Sequence, residues 1–427
     1  MKRVLMVAFH FPPYAVSSGV QRTLRFVQHL PRCGWEPLVL SASPMAYGAN
    51  AGPDLLGEIP PGTIVRRAIA LDASRHLAVF GRYIARTAWP DRYASWRFHA
   101  VRVGMELIRQ YRPDAIWTTH PIPTAHRIGA ELQRRSGLPW VADFRDPMVQ
   151  PGAPEDPSAL PSWQRIERDT VRHAAACVFT TPSAARMYRE RYPEAATRVS
   201  VLENGYDEES FLSAERDPGF DAAQPLDPAV PVLVHSGIVY PALRDPKQLF
   251  VAVEQLQRAG RIRPGDFRLR FRAPVHEDLL HRLAQEHGVE AFVEVAPQIP
   301  YRAAMQEMLR ADGLLVLQGS ACNGQVPAKL YEYFRARRPV VALTDPAGDT
   351  AAALRRAGVD TVARLDDAAD IAALLLRIRD GLRGGTPVGG LASSVQEHSR
   401  RGRTAVLAQL LDSLTAAQAQ PALARGA

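Results

Sequence analysis

The sequence predicts an α/β protein built from two tandem units, each a parallel sheet covered by helices. Three observations lead there. Short apolar runs alternate with helix-period segments from one end of the chain to the other. That alternation is interrupted once, near Asn204-Gly205. The 427 residues suffice for two hydrophobic cores at about 150 residues per domain.

Taken in order, Arg3–Phe9 reads as a buried strand. A loop with Pro12, Pro13 and Gly19 follows, then a helix with Val20, Leu24, Val27 and Leu30 on one face. Further strands are expected at Pro37–Ser41, Ile64–Ile69, Ala115–Thr119, Trp140–Phe144, Cys177–Thr180 and Val199–Leu202. Asp207–Pro228 is acidic, contains Pro218, Pro225 and Pro228, and shows no sustained period, so it reads as linker or irregular surface. The alternation restarts with Pro231–His235 and a helix carrying Leu249, Val253 and Leu256. Strands are then expected at Phe267–Phe271, Phe292–Val295, Gly313–Leu317, Val340–Leu343 and Val359–Ala363. A glycine-rich break at Gly384–Gly390 precedes a last helix with Leu407, Leu410, Leu411 and Leu414 along one stripe, and the Ala/Gln/Arg tail is expected to fray. The expected domains are therefore 1–205 and 206–395, with 396–427 a helix packing back toward the first domain and a tail. Parallel sheets of this kind bind ligands at the C-terminal ends of their strands, which places the expected ligand in a cleft between the two domains.

The charge balance is uneven. Lys and Arg outnumber Asp and Glu by 52 to 44 overall, by 26 to 17 in residues 1–205, and fall short by 26 to 27 in the remainder. The whole excess lies in the first domain, which suits nucleic acid, an anionic membrane face or a phosphorylated substrate. Cys33, Cys177 and Cys322 form no C-x-x-C pair, so neither a disulfide framework nor a structural zinc site is expected, and a reducing cytoplasm fits. The apolar run after Lys2 and Arg3 stops at Pro12-Pro13 without a cleavage site, and no stretch reaches the ~18 to 20 apolar residues that span a bilayer.

No G-x-G-x-x-G follows a strand, and no P-loop, H-E-x-x-H, EF-hand loop or G-x-S-x-G elbow is present. Arg75–Arg112 interleaves arginines with Phe80, Tyr83, Trp89, Tyr93, Trp96 and Phe98. It reads as a helix pair that buries its aromatics and solvates its arginines, with an anionic membrane as the leading functional alternative.

Four loops that follow strands carry unusual combinations. His10-Phe11-Pro12-Pro13-Tyr14 to Ser17-Ser18-Gly19-Val20-Gln21-Arg22 feeds a helix N-terminus, where amides and dipole favour an anion. Thr118-Thr119-His120-Pro121 and Ala142-Asp143-Phe144-Arg145-Asp146-Pro147 each end a strand. A histidine there is more often structural than catalytic, and Asp-x-Arg-Asp is often an ion-pair cluster. The fourth loop runs from Gly319 through Asn323, Gly324, Gln325 and Val326 to Pro327, Lys329, Glu332 and Tyr333, and Pro327 suits a first helical turn. Its loop amides are then expected to face a bound phosphate.

In this order the loops resemble glycosyltransferase family 4, the glycosyl transferases group 1 enzymes with two Rossmann-like, doubly wound parallel-sheet domains (the GT-B fold). The pieces that carry the likeness are F-P-P to S-G-x-x-R, A-D-F-R-D-P, N-G-Y-D-x-x-x-F at Asn204–Phe211, S-G to R-D-P at Ser236–Pro246, and V-P-A-K-L-Y-E-Y to R-P-V-V-A. The resemblance implies a retaining, metal-independent, cofactor-free transfer of a sugar from a nucleotide-sugar donor to an acceptor hydroxyl. The donor would sit on the second domain and a lipid-linked or saccharide acceptor on the first.

By the same resemblance Glu332 matches the second Glu of the E-x7-E motif, which binds the ribose hydroxyls. Gly19 matches the loop glycine near the donor diphosphate, and His120 the histidine that contacts the transferred sugar. His120, Asp143, Arg244 and Lys329 form the expected catalytic set. Ser236, Gly237, Asn323, Gly324, Gln325 and Val326 join Gly19 and Glu332 in binding the donor, while His10, Arg145 and Asp146 serve the acceptor side. Two positions depart from the pattern. Gly324 stands where the first Glu belongs, and Gly237 is followed by Ile238 rather than Arg, with Arg244 one residue past the usual lysine.

The resemblance also leads to an expectation of a cytoplasmic enzyme, peripheral on the inner face of the membrane, in surface polysaccharide or glycolipid assembly, and demotes nucleic acid as a partner. A nucleotide-sugar epimerase of the same fold and a non-catalytic nucleotide-sugar-binding partner are the alternatives.

Overall fold

The computed structural model describes residues 1–15, 18–53, 55–78, 80, 82–150, 153–384 and 396–419. The chain divides into two compact units, one formed by 1–204 with 400–427 and the other by 205–399. Each is a parallel sheet.

The first unit contains β1 (Lys2–Val7), β2 (Trp35–Ala42), β3 (Ile64–Ala68), β4 (Ala115–Thr119), β5 (Trp140–Arg145), β6 (Ala176–Phe179) and β7 (Val199–Val201). Its helices are α1 (Ser18–His29), α2 (Ala73–His76), α3 (Trp96–Tyr111), α4 (Pro123–Ser136), α5 (Leu160–His173) and α6 (Pro182–Arg191). The strand order is β3-β2-β1-β4-β5-β6-β7. The order reverses between β1 and β4, and such a reversal opens a crevice beyond the carboxyl ends of those two strands. The strands between the two edges, β3 and β7, are buried on both faces, which is why they read as continuous apolar runs rather than alternating ones.

The second unit contains β8 (Val232–Ser236), β9 (Arg268–Arg272), β10 (Val293–Ala296), β11 (Gly313–Gln318), β12 (Val340–Thr344) and β13 (Val362–Ala363), in the order β10-β9-β8-β11-β12-β13. Here the reversal falls between β8 and β11. Its helices are α7 (Glu208–Glu215), α8 (Lys247–Arg258), α9 (Glu277–His287), α10 (Tyr301–Arg310), α11 (Lys329–Ala336), α12 (Asp349–Arg356) and α13 (Ala368–Gly384).

The last helix, α14 (Arg400–Ala419), packs on α1 in the first unit. Leu407 and Leu411 are fully buried in one cluster with Val4, Leu24 and Val27, and Lys2 Nζ donates to Asp412 Oδ1 at 2.8 Å. The glycine-rich break lies, beyond Gly384, outside the described residues, as does the tail from 420.

Two expectations are corrected. Asp207–Pro228 is not wholly irregular, because Asp207 caps α7 by accepting from Ser210 N, and Phe211 and Ala214 are buried there. A two-turn helix is too short to reveal a period. Nor is Arg75–Arg112 a helix pair: α3 is its one long helix, and Phe80, Ile84 and Phe98 are largely exposed while Tyr93 and Trp96 are buried. Aromatic content without helical spacing gave no face to bury.

Packing in the first unit sets a testable constraint at Gly129 on α4. Alanine in place of glycine inside a helix normally stabilises by about 1 kcal/mol. A Cβ at Gly129, however, would lie 2.5 Å from Thr118 Cγ2 and 2.8 Å from the ring of Trp140, whose Nε1 donates to Thr118 Oγ1 at 2.8 Å. Gly129→Ala is therefore expected to lower the stability of this unit by ~1 to 3 kcal/mol, read as an earlier urea midpoint. A later midpoint would overturn this account of the packing.

Candidate functional site

In each unit the residues singled out from the sequence gather at the point where the strand order reverses. In the first unit His10 follows β1, His120 follows β4, and Asp143 and Arg145 close β5. His120 N donates to Asp143 O, extending the β4–β5 ladder past the end of β4.

Asp143 is fully buried, and both its oxygens are taken by Arg22 of α1, with Nε to Oδ2 at 2.8 Å and Nη2 to Oδ1 at 3.2 Å. Arg22 also donates to the carbonyls of Leu202 and Glu203. The loop sequence S-G-x-x-R contained this arginine, but nothing local marked its partner. His120 is 6% exposed, and its Nε2 is enclosed without a hydrogen-bond partner. Burial, with His126 and Arg145 nearby, holds it neutral well below the ordinary histidine range. His10 stacks on Tyr14 with ring centroids 4.6 Å apart. Burial and Arg145 lower its pKa to about 3. The space beside the Cα of Gly19 is filled by the Arg145 guanidinium and by His10 Nδ1. Asp146 accepts from Thr180 Oγ1 at 3.4 Å. Ser17 of the same loop lies outside the described residues.

In the second unit the site is built around Gly237. Its φ of +106° is one that L-residues rarely adopt, and a Cβ there would stand 3.2 Å from Lys329 Nζ. The φ requires glycine, and any side chain there would also press on the lysine head. Lys329 begins α11, where the helix dipole disfavours a cation. Its Nζ donates to His235 Nε2 at 3.3 Å, while His235 Nδ1 lies 2.9 Å from Leu315 O. Burial and Lys329 keep His235 neutral, far below its usual range. Burial and Arg244 in turn lower the lysine's pKa to about 7, with Glu332 opposing. Arg244 lies over the Tyr240 ring, reaches Ile238 O at 3.4 Å through Nη1, and leaves Nε enclosed without a partner. Among the described residues neither Lys329 nor Arg244 forms an ion pair with a carboxylate.

Ser236 N donates to Tyr333 Oη at 3.1 Å, and Glu332 Oε1 accepts from Tyr301 Oη at 2.9 Å. In the loop before α11, Asn323 Nδ2 is committed to Asp345 at 2.6 Å. The amides of Asn323 and Gln325 donate to Ser320 O and Cys322 O within their own turns. The helix begins at Lys329, two residues past Pro327, so these two amides do not serve as helix-end donors. Val326 is buried and Gly324 exposed.

The sequence reading missed His235, Tyr301 and Tyr333. His235 was within reach, since a histidine at the C-terminal end of a strand is the signal that selected His120. Tyr301 carries no local signal, because only the fold brings the start of α10 to α11.

Such a site, repeated in two doubly wound sheets, defines a two-domain Rossmann-like protein with a buried basic side chain near the reversal point of each sheet. Residues 18–205 match the glycosyl transferase 4-like domain family, and by that domain the chain is a glycosyltransferase. The chain shares its fold with a glycosyltransferase from Rickettsia africae, at 14% identity and a TM-score of 0.62, covering 100% of this chain and 99% of that one. A sucrose-phosphate synthase from Thermosynechococcus elongatus aligns over 98% of both chains at 14% identity and a TM-score of 0.59. HepE of Anabaena in complex with UDP-glucose aligns over 97% of this chain and 100% of its own at 14% identity and a TM-score of 0.60. No curated protein matches the sequence.

The lowered pKa of Lys329 predicts a pH dependence of stability. An unfolded lysine titrates near about 10.4, so between pH ~7 and ~10 the unfolded state binds a proton that the folded state has released. Stability contributed by this residue is complete above that window and is lost as pH falls through about 7. Urea midpoints of the second unit's transition are expected to rise across this window in wild type, and the rise is expected to flatten in Lys329→Met. Parallel profiles would contradict it.

Proposed function

We propose that the chain transfers a sugar from a nucleotide-diphosphate sugar, held by the second unit, to an acceptor hydroxyl held by the first. The reading includes retention of configuration, no metal ion, and a role at the cytoplasmic membrane face in surface polysaccharide or glycolipid biosynthesis. The observation that carries it is the pair Arg244 and Lys329, two cations with no carboxylate partner among the described residues, beside Gly237 at the β8–β11 reversal. The matched domain family and a neighbouring fold solved with UDP-glucose support it.

As the bond from the anomeric carbon to the diphosphate breaks, negative charge grows on the departing phosphate oxygen. Arg244 and Lys329 stand ready to offset it, an electrostatic contribution of several kcal/mol, about 3 or more, in a water-poor site. Lys329, near half-protonated at neutral pH, takes up a proton when the anion arrives. Glu332, oriented by Tyr301, accepts two hydrogen bonds from the ribose diol. The acceptor's proton passes to the departing phosphate oxygen, so no dedicated base is required. With glycine at 324 and Asn323 held by Asp345, the side chain of Gln325 is a polar group in that loop placed to meet the sugar.

Arg244→Ala and Glu332→Ala are expected to keep the fold and lower transfer by about 100-fold or more, measured as product formed from a panel of nucleotide sugars. Wild-type rates in both would sink the assignment. Donor turnover without an acceptor would show an epimerase instead, and donor binding without product a non-catalytic partner.

The same reading gives the first unit a lipid surface to meet. Leu77, Phe80, Ile84 and Phe98 are exposed in a stretch that also exposes Arg75, Arg82 and Arg86, a composition suited to an anionic bilayer. No described helix is long and apolar enough to cross a membrane. The double variant Phe80→Ser/Ile84→Ser is expected to lose most flotation with anionic liposomes, and wild-type flotation to fall at high salt. Salt-insensitive flotation, unchanged in the variant, would refute this surface.

A further inference from the structure

The first unit holds a cation for which the described residues provide no ion-pair partner. Arg145 ends β5, where pairing with β6 shifts register between Asp143 and Arg145, and its φ of 62° lies in the left-handed region. That conformation is unfavourable for arginine and persists only where the surroundings impose it. Its effect is to lay the guanidinium against Gly19 at the start of α1, so closely that any Cβ there would overlap Nη1, with His10 alongside.

Among the described residues nothing neutralises it fully. Its Nη1 makes one long approach, 3.5 Å to the carbonyl of His120, and its Nε is enclosed without a partner. Asp143 and Asp146 offset the charge from a distance, but both oxygens of Asp143 are bonded to Arg22. The adjacent histidines contribute no charge, since burial keeps His10 and His120 neutral. His120, nine-tenths buried, adds a second unsatisfied polar atom, Nε2. A desolvated guanidinium suits a planar or tetrahedral oxyanion, which it can bind through parallel N–H donors. The N-terminal end of α1 adds a favourable dipole.

We propose that Arg145 binds a phosphate group carried by the acceptor, making this a phosphate subsite of the first unit separate from the Arg244–Lys329 pair. The proposal rests on the reading of this unit as the acceptor-binding one. The phosphate belongs to a soluble sugar phosphate or to a lipid-linked sugar diphosphate, and the test separates the two.

Binding to the full chain is measured calorimetrically with glucose 6-phosphate, with glucose, with UDP, and with vesicles carrying a polyprenyl diphosphate sugar or the same neutral lipid alone. Wild type is expected to bind glucose 6-phosphate or the diphosphate vesicles, identifying the source, and to show at least tenfold weaker binding of glucose or neutral vesicles. Arg145→Gln is expected to weaken the phosphate probe at least tenfold while leaving UDP affinity unchanged. Arg145→Lys, which keeps the charge but not the fork, is expected to weaken it several-fold and serves where the glutamine variant does not fold. Arg244→Gln is expected to weaken UDP alone. Equal phosphate binding by wild type and both Arg145 variants, or no binding of either phosphate probe by wild type, overturns the proposal. Loss of UDP rather than phosphate binding in Arg145→Gln also overturns it. Failure of wild type to bind UDP or any nucleotide sugar would instead count against the transferase reading and leave the Arg145 result standing.

Discussion

The working end of the first unit depends on one buried ion pair. Arg22 donates two hydrogen bonds to Asp143, with neither side chain more than 4% exposed. Arg22 spends its remaining donors on the last residues before the second unit. Two charges withdrawn from water repay that cost only when their geometry is good and their other polar atoms are satisfied, and removing one partner typically costs 3 to 5 kcal/mol, roughly. The pair locks the second turn of α1 to the end of β5. Gly19, one turn earlier on α1, and Arg145, two residues later on β5, are therefore brought together by a contact neither of them makes.

The two units use the same electrostatic scheme with different parts. Each places near its reversal point a cation that has no ion-pair partner among the described residues, beside a histidine that burial keeps neutral. A neutral imidazole can hold a neighbour in position without quenching its charge, which a carboxylate in the same place would do. Each also removes a side chain where the cation must fit, Gly19 under Arg145 and Gly237 under Lys329. The cations are not equivalent. Arginine keeps its charge through any ordinary pH change, while Lys329, desolvated and set at a helix N-terminus, changes charge close to neutrality.

All thirteen strands lie within a few residues of where they were expected; the central ones were legible because a strand buried on both faces is a continuous apolar run, and β9 because Arg268–Arg272 alternates apolar and charged residues. Helix α7 was hidden because eight residues make barely two turns, and because its acidic first turn resembles a solvated loop. The site was legible only where chemistry and chain position coincide. Lys329 and Glu332 share a short segment, and Gly237 follows its strand directly. Asp143 stood in the expected catalytic set with an ion-pair cluster as the other reading of its segment, and the sequence could not name its partner because Arg22, which occupies both its oxygens, lies 121 residues earlier. The Tyr301–Glu332 contact spans 31 residues and has no signature in either segment. Long-range partners decide whether a polar residue is available or spent, and a local pattern does not contain them.

Because α14 belongs to the first unit, residues 205–399 form an insertion between two parts of one fold. This has a consequence for synthesis. The ribosome releases the chain from its N-terminus, and domains usually fold as they emerge. The face of α1 that carries Leu24 and Val27 is covered by Leu407 and Leu411, so it waits through the translation of the rest of its own sheet and of the whole second unit, residues 30–399, before its cover exists. During that interval the first sheet can assemble but presents an open apolar strip, and the second unit can complete its own core first. The unit begun earliest is thus the one finished last, and a nascent chain stalled before residue 400 should be an attractive client for chaperones that bind exposed hydrophobic surface.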